Sequence, residues 1–260
     1  MRMSIISVIF VSGCVLINTP VMFNSASGVI SGKTAEPVLT ANRAVPGSET
    51  NDPLPDKQWA PDKIHISSLQ NFAGNNKEPL VAILDTGIDR NHPDLAGEVI
   101  AEVNFTDSPT VNDRNGHGTH VAGIIAAKDN NGIGIAGIAP ESRLMNVKVA
   151  NDDGTCRAAV VSRGIIWAAD HGAKIINISL EMGPSAELEN AVDYAWNKGA
   201  VIIAAAGNSG WDKPVYPAAY TNCIAVAGTT QDDELAPLSN YGDWVDVAAP
   251  GFLIYSTLPG

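Results

Sequence analysis

Between Pro79 and Ala227 the chain alternates short segments that are apolar on every side with longer ones whose apolar residues recur every three or four positions. Few folds accept that pattern. A run such as Leu80-Val81-Ala82-Ile83-Leu84 has no polar face, so a strand built from it must be covered on both sides. Runs of this kind predict strands at Pro79 to Leu84, Val99 to Phe105, Leu144 to Val149, Lys174 to Ile178, Val201 to Ala205 and Ile224 to Ala227. Helical spacing predicts helices at Thr119 to Ala127, at Ala158 to Asp170 before His171-Gly172, and at Ala186 to Lys198 before Gly199. The expectation is an α/β fold of three layers, with a central, mostly parallel sheet flanked by helices. In such sheets functional residues gather just past the carboxyl ends of the strands.

The front of the chain reads differently. Arg2 precedes the apolar run Ile5 to Phe10, followed by Val11-Ser12-Gly13-Cys14. That tetrad has the form of a lipoprotein signal, with Cys14 as a lipid anchor. An ordinary secretory signal ending among Ser25 to Gly28 is the rival. Asn18 and Pro20 interrupt the run before it is long enough to span a membrane. Either signal takes the chain out of the cytoplasm. Residues 1–28 are thus expected to be a signal, 29–50 a Ser-, Pro- and Thr-rich linker, and 51–260 the folded domain. The formal net charge of −12 argues against a nucleic-acid partner. Cys156 and Cys223 fit no metal spacing and are expected to be separate thiols, with a disulfide as the lesser reading.

Three polar residues stand at the ends of the predicted elements: Asp85 after the first run, His117 at the start of a helix, and Asn208 after the run Val201 to Gly207. His117 lies in Asn115-Gly116-His117-Gly118-Thr119-His120-Val121-Ala122-Gly123, where Gly116 and Gly118 are read as opening its approach. Each residue alone has a bland explanation: a capping or core histidine, a loop-capping carboxylate, a turn-forming asparagine. Together they suit one reaction. A carboxylate fixes the imidazole tautomer, the imidazole deprotonates a hydroxyl, and an amide N–H steadies the oxyanion.

The motifs Val81 to Asp89, Asn115 to Gly123 and Ala204 to Gly210 resemble those of the subtilisin-like serine proteases. Asn91 to Leu95, Tyr194 to Gly199 and Trp244 to Gly251 add to the resemblance, which covers about Asn51 to Gly260. It implies a serine endopeptidase acting as a monomer on protein or peptide substrates. Asp85 would orient His117, His117 would be the general base, and the Asn208 side chain would donate to the oxyanion. Substrate would lie along Gly154, Thr155 and Cys156, with Ser179 and Leu180 opposite and Ala205, Ala206 and Gly207 lining the pocket. That is recognition by strand addition. A structural calcium ion is also implied, held by Asp52, Asp94 and Asn131 with the backbone carbonyls of Lys128, Ile133 and Ile135. Oxygen donors from loops suit that ion. Asp107 and Asp113 are read as solvated loop carboxylates.

The sequence departs from the family in three places. The family carries its serine in a Gly-Thr-Ser-Met-Ala segment beyond the Pro-Gly that matches Pro250-Gly251, and no such segment occurs up to Gly260. The expectation is a domain truncated at its C-terminus before the nucleophile, and inactive as written. Glu181 stands where the family has Gly, and would either crowd the pocket or favour basic side chains. There is also no room before Asn51 for a folding-assisting propeptide. A non-catalytic, peptide-gripping relative is the alternative function. A metal hydrolase using His117 and His120 lacks the Glu and third ligand that zinc requires.

Overall fold

The computed structural model describes residues 51–66 and 78–260. The expected signal, Cys14 and the linker lie outside the described residues. Strands β1 (Leu80–Asp85), β2 (Val99–Asn104), β3 (Arg143–Lys148), β4 (Ile175–Ile178), β5 (Val201–Ala205), β6 (Cys223–Thr229) and β7 (Val247–Pro250) form one sheet in the order β2-β3-β1-β4-β5-β6-β7. Every pairing is parallel. Helices are α1 (Trp59–Lys63), α2 (His117–Ala126), α3 (Ala158–Asp170) and α4 (Ala186–Asn197).

Successive residues of a strand point to opposite faces, and the buried residues sort accordingly. Ala82 and Leu84, with Met145, Val147, Ile176 and Ile178, pack against Val161 and Ile165 of α3 and Leu188 and Val192 of α4. Val81 and Ile83, with Leu144 and Ile175, pack against Val121, Ile124 and Ile125 of α2. The sheet is therefore the middle layer of three, as its two-faced apolar runs require. No helix among the described residues is long and apolar enough to cross a membrane.

Two elements escaped sequence reasoning, and several boundaries moved by one or two residues. Strand β7 is short, ends in Pro250 and lies at the sheet edge, where proline is tolerated and burial is incomplete. Helix α1 has five residues with Pro61 inside it, too few to show a period. Helix α2 starts at His117, two residues before the expected Thr119, because its N-cap is Gly116 at φ 105°. That residue offers no capping side chain, so the usual start signal is missing from its own position.

Gly118 shows how tightly α2 meets β1. A β-carbon there would collide with the Gly87 carbonyl oxygen and lie 3.1 Å from Asp85 Cβ. The missing side chain lets the helix close on the Asp85 turn, which corrects the reading that it opens His117 to another molecule. Gly118→Ala is expected to lower stability by about 1–3 kcal/mol in chemical denaturation, the usual cost of overpacking. In an ordinary helix the same change is favourable by about 1 kcal/mol. A stability equal to or above wild type would contradict this docking.

Candidate active site

The first turn of a helix leaves N–H groups without intrahelical partners. In α2 the acceptors come from residues other than the N-cap Gly116. Asn115 Oδ1 takes the His117 N–H at 3.4 Å, Thr86 Oγ1 takes the Gly118 N–H at 3.0 Å, and Asp113 Oδ2 takes the Thr119 N–H at 2.9 Å. Asp113 does more than cap. Its Oδ1 accepts from Thr86 Oγ1 at 2.9 Å, Asn115 N at 3.0 Å and Gly116 N at 2.9 Å, and its Oδ2 also accepts from Thr119 Oγ1 at 2.7 Å. Asp113 is 5% exposed, so it is a buried anchor and not the solvated carboxylate expected from the sequence. Asp107 does face solvent, where it pairs with Arg157. The signal for Asp113 was the Asp-x-x-Gly-His spacing, which places a carboxylate opposite a helix start.

This clamp aligns the next pair. Asp85, at the carboxyl end of β1, is 1% exposed, and its Oδ1 lies 2.7 Å from His117 Nδ1. The same oxygen accepts the Thr86 N–H at 2.7 Å. A carboxylate on Nδ1 makes that nitrogen the protonated one and leaves Nε2 to accept a proton. Burial pulls the His117 imidazole down, but the charge and hydrogen bond of Asp85, helped by the charge of Asp113, outweigh it and hold the group above the usual histidine value.

Beneath the pair sits a cation that sequence reasoning missed. Lys148 pairs with Asp85 in the β3–β1 register and is fully buried. Its Nζ donates to the Thr86 carbonyl and pairs with Asp152 Oδ1 at 2.9 Å. Hydrogen bonding to Lys148 holds the Asp152 carboxyl below its usual range. Thr86 is thus fixed at its N–H, hydroxyl and carbonyl, and with it the turn that carries Asp85. The signal was a lysine at the end of a strand, set between apolar Val147 and Val149.

The remaining expected residues sit on the same edge of the sheet. Strands β3 and β4 flank β1, so the segments after them lie on either side of Asp85. After β3, the Asn151 N–H donates to Thr155 O at 2.8 Å, and a bridge from Ala150 to Cys156 closes a tight loop around Gly154. After β4 come half-buried Ser179 and Leu180, and then exposed Glu181. Beyond β5 come Ala206, Gly207 and exposed Asn208. Two strand spacings put the ends of β1 and β5 about 10 Å apart. The Asn208 N–H donates to Glu181 Oε2 at 3.1 Å.

Other nucleophiles are poorly placed. The Cys156 thiol is pushed up by burial and then by the Asp85 charge, which keeps it protonated and unreactive. Cys156 and Cys223 are both free, as expected. Of the late serines, Ser239 Oγ donates to Asn240 O at 3.0 Å and Ser256 Oγ to His120 O at 2.7 Å.

A second cluster lies on the loop after α2. Asp52, 4% exposed, accepts the N–H groups of Asn130, Asn131 and Gly132 at 2.9, 3.0 and 3.1 Å. Asp94, 1% exposed, accepts from Asn131 Nδ2 at 2.8 Å and from the Ile135 N–H at 3.0 Å, while its carbonyl takes the Lys128 N–H at 2.9 Å. The loop from Lys128 through Ile133 to Ile135 therefore wraps two buried carboxylates. Among the described residues no three His, Cys, Asp or Glu side chains cluster for a metal ion. Any cation here would rely on these two carboxylates, the Asn131 amide and backbone oxygens, a donor set that suits a hard ion.

The subtilase family model matches residues 76–258. Thermitase of Thermoactinomyces vulgaris is 49% identical over 213 residues, covering 80% of this chain and 76% of that one. The thermophilic serine proteinase of Bacillus sp. strain AK1 is 46% identical over 205 residues, covering 78% of this chain, which spans only 51% of that relative. Among solved structures, a protease of Pseudoalteromonas arctica superposes with a TM-score of 0.72 at 29% identity, over 78% of this chain and 73% of that one.

His120, on the same helix as His117, gives the site an acid limit. Burial outweighs its contact with the Ile254 carbonyl, 3.2 Å from Nε2, and pushes its pKa down to about 4. In the unfolded chain the group titrates near 6.5, so between those values the unfolded state binds the extra proton. Stability contributed by a neutral His120 is therefore lost as pH falls from about 6.5 towards 4. His117 runs the other way, since its raised value favours the folded state at lower pH. His120→Gln, which keeps a donor for Ile254, is expected to flatten the fall of stability over that window in denaturation curves. A slope identical to wild type would contradict the assignment.

Proposed function

Since the chain belongs to the subtilase family of serine proteases, we propose that it is an endopeptidase in which Asp85 orients His117, His117 is the general base, and the Asn208 side chain stabilises the oxyanion. The observation that carries this reading is the 2.7 Å contact between a nearly fully buried Asp85 and His117 Nδ1. With Nδ1 held by Asp85, Nε2 takes the proton of a serine hydroxyl as it attacks the peptide carbonyl. The same nitrogen then returns the proton to the leaving amine. The carbonyl oxygen becomes negative as the tetrahedral intermediate forms, and an amide donor beside it lowers that barrier. The nucleophile would be the serine of the family's Gly-Thr-Ser-Met-Ala segment, which does not occur in residues 1–260. Peptide lies as an added strand between Gly154-Thr155-Cys156 and Ser179-Leu180, with Ala205, Ala206 and Gly207 beneath it. Residues 1–28 act as an export signal, of the lipoprotein or the ordinary secretory kind, so the activity is exerted outside the cytoplasm.

The loop around Asp94 is proposed as a structural calcium site. Asp52, Asp94 and Asn131 would hold the ion together with the carbonyls of Lys128, Ile133 and Ile135. Its charge would offset that of two buried carboxylates and fix the loop that follows α2.

Four expectations test these assignments. Residues 1–260 alone take up no fluorophosphonate label, whereas a chain continuing through the serine segment is labelled and cleaves casein. Labelling of residues 1–260 would overturn the assigned nucleophile. In the active chain Asn208→Ala costs on the order of 10²–10³ in kcat, a magnitude known from the matching donor of subtilisin itself. The acid limb of kcat/KM lies above the ordinary histidine value of about 6.5, because a base with a raised pKa must be deprotonated first. Asp113→Asn moves that limb down, and a limb below 6.5 in the unaltered chain would contradict the Asp85–His117 coupling. For the metal, chelation lowers Tm by on the order of 5–10 °C when the ion is present at about 100 times its Kd. Asp94→Asn removes the calcium-dependent part. A Tm indifferent to chelator would contradict the site.

A further inference from the structure

Glu181 occupies a position that the catalytic assignment leaves unexplained. It follows β4 and Ser179-Leu180, and reaches across to the segment after β5. Its Oε2 accepts the Asn208 N–H at 3.1 Å. A β-carbon on Gly207, at φ 99°, would collide with the same oxygen. The carboxylate therefore lies directly over Gly207, beside the residue proposed to hold the oxyanion. Among the described residues no cation pairs with it.

Two further side chains border the space over Gly207. Val215 Cγ2 would lie 3.2 Å from a Gly207 β-carbon and Asn240 Nδ2 would lie 2.6 Å away. Asn240 is fully buried, and its Oδ1 is taken by the Ser209 N–H at 2.9 Å. Its Nδ2 is buried without a hydrogen-bond partner and faces the same space over Gly207. One anionic acceptor, one amide donor and one apolar wall thus converge there. The N–H bond from Asn208 holds the carboxylate in that space.

We infer that Glu181 is a specificity-determining residue, selecting peptides with Arg or Lys immediately before the scissile bond. The inference rests on the endopeptidase reading, which sets the register. The carbonyl that the Asn208 side chain would polarise belongs to the residue before the scissile bond, so that residue's side chain is the one that falls beside Gly207 and Glu181. A large apolar side chain there would cover an ionised carboxylate and strip its water without replacement, which is costly. A guanidinium or ammonium replaces the lost water with a charge-assisted hydrogen bond. The negative net charge of the chain steers the same class of substrate.

The test uses residues 1–260 and a set of fluorescent nonapeptides differing only at the central residue: Arg, Lys, norleucine or Glu. Fluorescence anisotropy is expected to show the Arg and Lys peptides bound about tenfold more tightly than norleucine, with Glu weakest, as one added charged hydrogen bond would give. In Glu181→Gln the preference disappears while norleucine affinity holds or improves. The side chain is exposed, so that variant keeps the fold. Binding of all four peptides without a basic preference, or a preference that survives Glu181→Gln, overturns this inference and leaves the endopeptidase reading standing. Failure of every peptide to bind both wild type and variant overturns the endopeptidase reading together with this one.

Discussion

The Asp113 carboxylate, shut away from water, accepts five hydrogen bonds, and the geometry of the site follows from it. A buried charge is tolerated only when such bonds replace its hydration. Here the donors come from two separate pieces of chain, the start of α2 and the Thr86 hydroxyl after β1. Satisfying the charge therefore fastens those pieces together. The positive end of the helix dipole contributes in the same direction. His117 and Asp85 meet because the elements that carry them are joined one residue away, at Thr86 and at Gly118.

The sheet supplies the rest. Its order places β3 and β4 on either side of β1, so the loops that would grip a peptide stand on both flanks of the acid–base pair. Lys148 secures the turn from below through the Thr86 carbonyl. The charges around His117 act in concert: Asp85 and Asp113 raise its basicity, while the Asp85 charge adds to the larger effect of burial in keeping the Cys156 thiol protonated. The local field that favours proton transfer at one ring thus works with burial against a competing nucleophile.

The features legible in the sequence were those with a strong local signature. Apolar runs located β1 to β6 because burial on both faces leaves no room for polar residues, and α3 came out with its observed bounds, Ala158–Asp170. Asp85 and His117 stood at element ends, where parallel sheets place their chemistry. Features set by long-range partners were not legible. Asp113 looked like one more loop acid, since its donors at Thr86 and Thr119 declare themselves only in three dimensions. Gly118 suggested an open approach, whereas its missing side chain accommodates the Gly87 backbone. Glu181 stood out as unusual, but its reach to Asn208 depended on β4 and β5 being neighbours.

The central claim is that Asp85 holds His117 as a single tautomer with a raised pKa. Nitrogen NMR of the His117 ring, followed through a pH titration with selective labelling, tests it without any need for turnover. The account predicts that Nδ1 stays protonated at every pH and that Nε2 alone titrates, with a midpoint above that of an ordinary histidine. A neutral ring protonated mainly on Nε2, or a midpoint below the ordinary value, would contradict it.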